Sequence, residues 1–267
     1  MPEGHTVHRI ANQFADLFGG LPIAISSPQG RFTQESKAIS GQVLRRAYAV
    51  GKQMFLEFDN DLTLRIHLGI YGKWQFHQSK TQPQIVGQVR ARFSNGTTHV
   101  DLRGPTVCEV IEKPEVDAVL RRLGPDPLNP NPKSIESNRF VTKVLSSSIE
   151  IGRLLMNQDV ISGIGNVYRA ELLFRHSIEP HIRGKALTVD QVQALWDDSV
   201  KLLKIGVKTG FMITRDELFA KHPSKEDRNW VYKREGKPCR KCQTEIKIEL
   251  MAARKLYWCP TCQPRKR

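Results

Sequence analysis

Long apolar runs are missing from this chain: none approaches the ~18 residues that a membrane-spanning helix requires, so no membrane role is expected. The basic and then apolar head of an export signal is missing too, which makes a cytoplasmic protein the expectation. Acidic residues are the scarce charge. Against 41 Lys and Arg stand 27 Asp and Glu, a formal net charge of +14, and an excess of that size implies a polyanionic partner. No internal repeat is present. At 267 residues, 39% of them hydrophobic, the chain is long enough for two soluble domains, each with its own core.

Cysteine is sparse as well, and its placement is informative. Four of the five fall in Cys239-Arg-Lys-Cys242 and Cys259-Pro-Thr-Cys262, with 16 residues between the pairs. Each pair suits a tight turn, and a hairpin brings two such turns together around one tetrahedral zinc. Two disulfides are the alternative, which a cytosolic chain disfavours. The last 36 residues carry 11 basic and 3 acidic side chains. A metal lets so short a basic segment fold as a finger rather than trail as a solvated tail. Cys108 stands alone and is expected to be a buried structural thiol.

From Thr6 to Phe18 the apolar positions follow helical spacing, and Gly19-Gly20 stops the run. Strand patterns follow in QVLRRAYAV, then MFLEF and LTLRIHL joined by Asp59-Asn60-Asp61, then VRARF and THVDL around Asn95-Gly96, a strong hairpin signal. The first ~115 residues therefore predict a mainly antiparallel sheet structure led by one helix. GPDPLNPNPKS, from Gly124 to Ser134, carries four prolines and predicts a connection between domains. Beyond it the pattern is helical. Thr188 and Gln191 make a capping box ahead of a face formed by Val192, Leu195, Trp196, Val200 and Leu203.

GIGNVYRAELLFRH is harder to interpret. Gly163 and Gly165 allow close approach of backbone to a ligand, and Asn166 is placed to cap the helix whose stripe is Val167, Ala170 and Phe174. A plain N-cap is one reading of Asn166. Phosphate binding by the free amides of a helix start is the other, and the net charge favours it.

Several motifs together carry a family resemblance: PEG after Met1, Gly51-Lys52, HLGIYG at 67 to 72, GIGNVYRAE at 163 to 171, and a finger ending ARKLYWCPTCQ. In this order, over essentially the whole chain, they resemble the formamidopyrimidine-DNA glycosylase and endonuclease VIII family of base-excision repair enzymes. PEG, where the formamidopyrimidine branch has PELPE, leans toward the endonuclease VIII side. The resemblance implies a two-domain α+β fold. An N-terminal antiparallel β-sandwich with a leading helix would span 1–123, a linker 124–134, a helix-two-turn-helix DNA-binding domain 135–231 and a zinc finger 232–267.

The resemblance also implies roles. With Met1 removed, the secondary amine of Pro2 attacks C1′ of a damaged nucleoside. Only a neutral amine attacks, and at pH 7 roughly a tenth of a terminal α-amine is neutral, hundreds of times the fraction for a solvated lysine. Glu3 would act as the general acid toward the deoxyribose ring oxygen, and Lys52 would hold the phosphate beside the lesion and assist catalysis. His67, Asn166 and Arg254 match phosphate-gripping positions. Ile70 and Tyr71 match the loop that wedges into the base stack, and Arg103 is placed to read the orphaned opposite base. Cys239, Cys242, Cys259 and Cys262 would bind one structural zinc, with no ligand position left for water. The implied partner is duplex DNA with oxidised bases, pyrimidines before purines, or abasic sites. The enzyme would act as a monomer, associate with the nucleoid, and cut by β,δ-elimination. Two departures stand out: Thr6 replaces a second glutamate near the nucleophile, and Pro105 replaces an aromatic wedge. The polar segment from Phe211 to Trp230 carries no recognisable base-contact signature. A damage-binding protein without chemistry would have no need for Pro2, Glu3 and Lys52 together.

Overall fold

Helix α1 (Gly4–Phe18) forms because Val7, Ile10, Ala11, Phe14 and Phe18 recur at helical spacing and bury one stripe. The computed structural model describes residues 2–265; Met1, Lys266 and Arg267, and with them the expected removal of Met1, lie outside the described residues. After α1 come β1 (Ala24–Ser26), α2 (Thr33–Ile39), β2 (Leu44–Val50), β3 (Gln53–Phe58), β4 (Thr63–His67), β5 (Lys73–Gln78), β6 (Ala91–Ser94), β7 (Thr98–Arg103), β8 (Val107–Ile111) and α3 (Lys113–Arg122). The strands make two antiparallel four-stranded sheets, ordered β1-β6-β7-β5 and β2-β3-β4-β8. Residues up to Arg122 form one compact unit and those from Leu123 a second.

The two sheets and α1 share one core. Phe14 and Phe18, Leu56 and Phe58 of β3, Ile66 of β4, and Phe93, Val100 and Leu102 of the other sheet lie in a single buried cluster. The Phe14 ring meets Trp74 edge-on at 4.9 Å. Strand β3 is covered on both faces, because Phe55 points away from that cluster and packs with Ile111 and with Val116 of α3. The expected Asn95-Gly96 turn joins β6 to β7, with Asn95 Oδ1 accepting from the Thr97 and Thr98 amides.

On the outer face of the β6–β7 pair, burial falls on charged residues. Arg92 and Asp101 are each about 1% exposed and pair through two hydrogen bonds, 2.6 and 2.9 Å. Residues 79–89 lie over them: Arg92 Nη1 donates to the Pro83 carbonyl at 2.6 Å, and Arg103 Nη1 donates to the Val86 carbonyl. A buried pair of this kind persists only with further acceptors for its donors, and the Pro83 carbonyl supplies one to Arg92.

The second unit is helical: α4 (Ile135–Leu145), α5 (Ile151–Leu154), α6 (Asn166–Arg175) and α7 (Val189–Thr209), followed by the hairpin strands β9 (Lys247–Met251) and β10 (Arg254–Trp258). Phe140, Leu154, Ile161, Leu172, Leu195, Trp196 and Leu203 form its core. The capping box at Thr188 and Gln191 starts α7, while Val200 of the expected buried face is only half-buried. The proline-rich stretch is not loose where it begins. Residues 124–127 are buried, with the Gly124 amide donating to the Gln158 carbonyl at 2.8 Å and the Ser162 amide to Pro125 at 2.9 Å. No helix among the described residues is long and apolar enough to cross a membrane.

Behind α6 and α7 an ionic network ties the segment after Phe211 to the helices. Arg175 bonds Asp198 at 2.6 Å and Asp216 at 2.8 Å, and His176 Nε2 lies 3.1 Å from Asp198. Burial alone would raise the Asp198 carboxyl, but hydrogen bonds from His176 and Arg175 hold it at about 2. A carboxyl depressed in the fold adds stability above its unfolded value, and that stability is lost as pH falls through the folded value. Asp198→Asn is therefore expected to cost about 2 kcal/mol near pH 7, the deficit against wild type shrinking as pH falls from about 4 toward 2. Urea unfolding of both proteins at pH 7 and pH 3 checks this, and an equal deficit at both would contradict it.

Candidate active site and nucleic-acid interface

In the first unit the β2–β3 hairpin closes through Gly51-Lys52. Val50 pairs with Gln53, and Gly51 has φ +59° while Lys52 does not, the pattern of a two-residue II′ turn. Glycine takes the position a side chain would resist, and Lys52 is carried at the turn. Lys52 thus stands at the hairpin tip. Gln53 also pairs with His67 of β4, which brings that histidine beside the turn. Burial lowers the His67 imidazole, and the charges of Lys52 and Arg65 lower it further. Lys52 and His67 thus form one electrostatic unit, with the imidazole biased toward its neutral form.

Pro2 is half-buried and precedes Glu3, the N-cap residue of α1, whose side chain is fully buried. Glu3 is extended, and its carbonyl accepts from the Thr6 amide at 2.9 Å. The positive end of α1 is thus presented to Pro2 and Glu3. Burial, with Arg9 and His8 nearby, pushes His5 down to about 3. Its Nε2 lies 3.1 Å from Thr6 Oγ1, so Thr6 engages a neighbouring imidazole where the family pattern has a carboxylate.

The HLGIYG loop between β4 and β5 is tightly turned. Gly72 N–H donates to the Leu68 carbonyl at 2.9 Å, and a Cβ on Gly69, at φ +63°, would lie 1.9 Å from Thr106 Oγ1. Ile70 and Tyr71 project from its tip, 47% and 84% exposed. Tyr71 is therefore not a core residue. The Arg103 side chain is 15% exposed; Nη2 donates to Asp101 at 3.2 Å and Nη1 to the Val86 carbonyl, which anchors residues 79–89. Cys108, expected to be buried, is half-buried on β8. Burial raises its thiol to about 12, which leaves it unreactive.

In the second unit Gly165, not Asn166, is the N-cap of α6. Asn166 is the first helical residue, and its Nδ2 donates 2.8 Å to the Lys255 carbonyl in the finger hairpin, so the simple capping reading fails. Gln158 fixes the glycine turn, accepting from the Gly163 amide at 3.1 Å and donating to the Ile164 carbonyl at 3.0 Å. Arg169 is fully buried. Its guanidinium donates to Met251 O at 3.1 Å, to Lys255 O at 3.4 Å and to Asn166 Oδ1. Those carbonyls flank the hairpin turn Ala252-Ala253, where both alanines have positive φ, and Arg254 stands exposed just beyond it. Glu171, also fully buried, accepts from the amides of Trp230, Val231 and Tyr232 and from Thr214 Oγ1, closing the base of the loop between Thr214 and Trp230.

The four finger cysteines fit a metal. Their sulfurs lie within 4.8 Å of one another, with 3.5 Å between Cys242 and Cys259 and 3.9 Å between Cys239 and Cys262. A zinc with Zn–S bonds near 2.3 Å needs tetrahedral edges of about 3.8 Å, whereas a disulfide needs about 2.05 Å. Amides of Lys241 and Cys262 point at the Cys239 and Cys259 sulfurs, as thiolate ligands require. Gln263 ties this knuckle to the helices, accepting from the Cys259 amide and donating to the Ile178 carbonyl. The four thiolates hold one structural zinc.

Arg92, Asp101, Arg169, Glu171 and Gln263 were not singled out from sequence. In VYRAE the apolar stripe hides Arg169 and Glu171, which read as ordinary exposed helix positions until the hairpin and the loop are seen packed against them. Two outcomes are expected here. Gly69→Ala should displace the Ile70–Tyr71 tip and destabilise the fold by about 1–3 kcal/mol, measurable by thermal unfolding. Cys242→Ser should bring bound zinc, measured by atomic emission on the purified protein, from one per chain to well below one. Full zinc occupancy in that variant would contradict the ligand set.

Comparison with known proteins agrees with this architecture. Residues 1–108 match the formamidopyrimidine-DNA glycosylase N-terminal domain, 123–217 the formamidopyrimidine-DNA glycosylase H2TH domain, and 236–265 the zinc finger found in FPG and IleRS. The chain is 43% identical to endonuclease 8 1 of Mycobacterium tuberculosis, covering 98% of this chain and all of the relative. It is 27% identical to endonuclease 8 of Escherichia coli, with the same coverage. The fold is that of the Lactococcus lactis formamidopyrimidine-DNA glycosylase solved with DNA containing N7-benzyl-Fapy-dG, at TM-score 0.82, 22% identity and 99% coverage of this chain and 100% of that one. The chain therefore belongs to the formamidopyrimidine-DNA glycosylase and endonuclease VIII family of base-excision repair enzymes, DNA glycosylases that are also abasic-site lyases.

Proposed function

We propose that this enzyme is an endonuclease VIII-type glycosylase that removes oxidised pyrimidines from duplex DNA and cuts the strand by β,δ-elimination. The observation that carries the reading is the full-length 43% identity to a relative named endonuclease 8 1. The geometry of the first unit supports its chemistry. Once Met1 is removed, the Pro2 amine sits ahead of the positive end of α1, which favours the neutral, attacking form. It adds to C1′ and forms an imine. Glu3 protonates the deoxyribose ring oxygen as the base leaves, and successive eliminations break the phosphodiester on each side of the sugar. Lys52, with His67 at its side, grips the phosphate beside the lesion.

Recognition follows the same division of labour. The damaged nucleotide is extruded from the duplex, and Ile70 and Tyr71 fill the space it leaves, a use their exposure at a rigid tip supports. Asn166 and Arg254 hold phosphates from the helical unit, Arg254 from the end of a zinc-braced hairpin. Residues 124–134 serve as the connection between the sandwich and the helix-two-turn-helix region, and the finger begins near Tyr232. The enzyme acts as a monomer on cytoplasmic, nucleoid DNA.

Borohydride trapping on duplexes carrying an abasic site, thymine glycol or 8-oxoguanine tests the reading. Wild type should trap on thymine glycol in preference to 8-oxoguanine, and Pro2→Gly should lose the adduct on every duplex. Glu3→Gln should slow base removal by about 100-fold while trapping at a pre-existing abasic site falls far less. Preferential trapping on 8-oxoguanine would reverse the proposed branch, and an undiminished adduct in Pro2→Gly would remove the nucleophile.

A further inference from the structure

The outer face of the β5–β7 pair holds a feature that the proposed chemistry does not use. Lys73, Gln75 and His77 alternate outward along edge strand β5, while Trp74 and Phe76 point into the core. Facing them across a groove of about 430 Å³ are Gln84 and Val86 of the overlying segment, with Arg103 at the end nearer the HLGIYG tip. No carboxylate lines this groove. Asp101 is about 1% exposed beneath the segment and engaged by Arg92 and Arg103.

The far wall is held rigidly. Arg92 donates to the Pro83 carbonyl and Arg103 to the Val86 carbonyl, and both guanidiniums bond the same Asp101 carboxylate. The carbonyls on either side of Gln84-Ile85 are thereby fixed from inside the sheet. Ile85 and Val86 are held outward, 46% and 70% exposed, although nothing in their own sequence favours that. The groove runs up to the wedge tip, because Lys73 follows Gly72 directly and pairs with Arg103, and a Cβ on Gly104 would lie 3.5 Å from the Tyr71 carbonyl.

We propose that this groove binds a phosphodiester segment of the DNA flanking the Ile70–Tyr71 tip, with Lys73 and His77 facing the phosphates and Val86 against deoxyribose. Arg103 acts here as a positioning residue for the wall. The chemistry is that of a strand-tracking site: cations and neutral donors on one side, an apolar ledge for sugar on the other, and Asp101 buried. The inference rests on the duplex-DNA reading above and adds to it a contact outside the reaction centre.

The test is the salt dependence of binding to a duplex carrying a tetrahydrofuran abasic-site analogue, comparing wild type with Lys73→Gln, Lys73→Arg, His77→Ala and Lys113→Gln. Lys73 is an exposed side chain on an edge strand, so its replacement leaves the fold intact, which the unfolding temperature verifies. Lys113, paired with Asp117 on α3 over the opposite sheet, is the control. One lost phosphate contact lowers the log–log slope by about 0.9. Lys73→Gln should show that change, with affinity near 0.15 M salt falling about three- to tenfold; Lys73→Arg should restore both, and Lys113→Gln should match wild type. An unaltered slope in Lys73→Gln and in the Lys73→Gln/His77→Ala double variant would overturn the groove, as would an equal change in Lys113→Gln. Trapping of wild type on a single-stranded abasic oligonucleotide separates the failures. Normal trapping with unaltered slopes sinks the groove alone, whereas no trapping sinks the catalytic reading first.

Discussion

A guanidinium buried inside the protein and donating to backbone carbonyls is the interaction that holds both the finger hairpin and the segment over the β6–β7 pair. Arg169 does this for the finger hairpin, and Arg92 with Arg103 does it for the segment over the β6–β7 pair. A planar fork with five fixed donors suits the task, since it spans two carbonyls and a carboxylate or amide at once, which an ammonium cannot do with defined geometry. The cost of taking the charge from water is offset by pairing, with Asp101 in one case and with oxygen acceptors that include the Met251 and Lys255 carbonyls and Asn166 Oδ1 in the other. The projecting turns are thereby held by residues on the inside of the fold.

This changes how the charge of +14 is understood. Part of the basic excess is structural and never meets a partner: Arg92 and Arg169 are both fully buried, and Arg175 is 12% exposed within its network with Asp198 and Asp216. What remains at the surface is sorted by place. Arg254 stands at a hairpin end, Lys52 at a two-residue turn and Lys73 on an edge strand, each a site where backbone geometry, not side-chain length, fixes the location of the charge. Each unit therefore presents cations at places that its own backbone sets rather than on a diffuse basic surface.

Much of the fold was legible in the sequence where one apolar pattern served one burial environment. Helix α1, the Asn95-Gly96 hairpin and the capped start of α7 all belong to that class, while β3 was legible as a hydrophobic run although it is covered on both faces. Short elements escaped: β1 is three residues long, and β8 (VCEVI) is half-buried along most of its length, so neither gives a clean alternation. Strand β5 alternates Trp74 and Phe76 with Lys73, Gln75 and His77, but two apolar residues are too few to distinguish a strand from a loop. In the sites, the cysteine spacing and the Gly51-Lys52 turn were readable because the chemistry is local. Arg103 and Asn166 were not, because their partners lie far away in sequence, at Val86 and Lys255, and a side chain of either type looks the same whether it faces solvent or a carbonyl.

The turn Ala252-Ala253 places two alanines in the left-handed region, where each costs roughly 1–2 kcal/mol relative to right-handed backbone. Left to itself, this tip would open. It is closed by what surrounds it: the zinc knuckle on one side and the Arg169 guanidinium on the other. The presentation of Arg254 is thus a property of the metal-loaded finger docked on α6, not of the hairpin sequence. In a cell short of zinc, this tip would lose its bracing while the first unit, which carries none of the four finger cysteines, kept its own core.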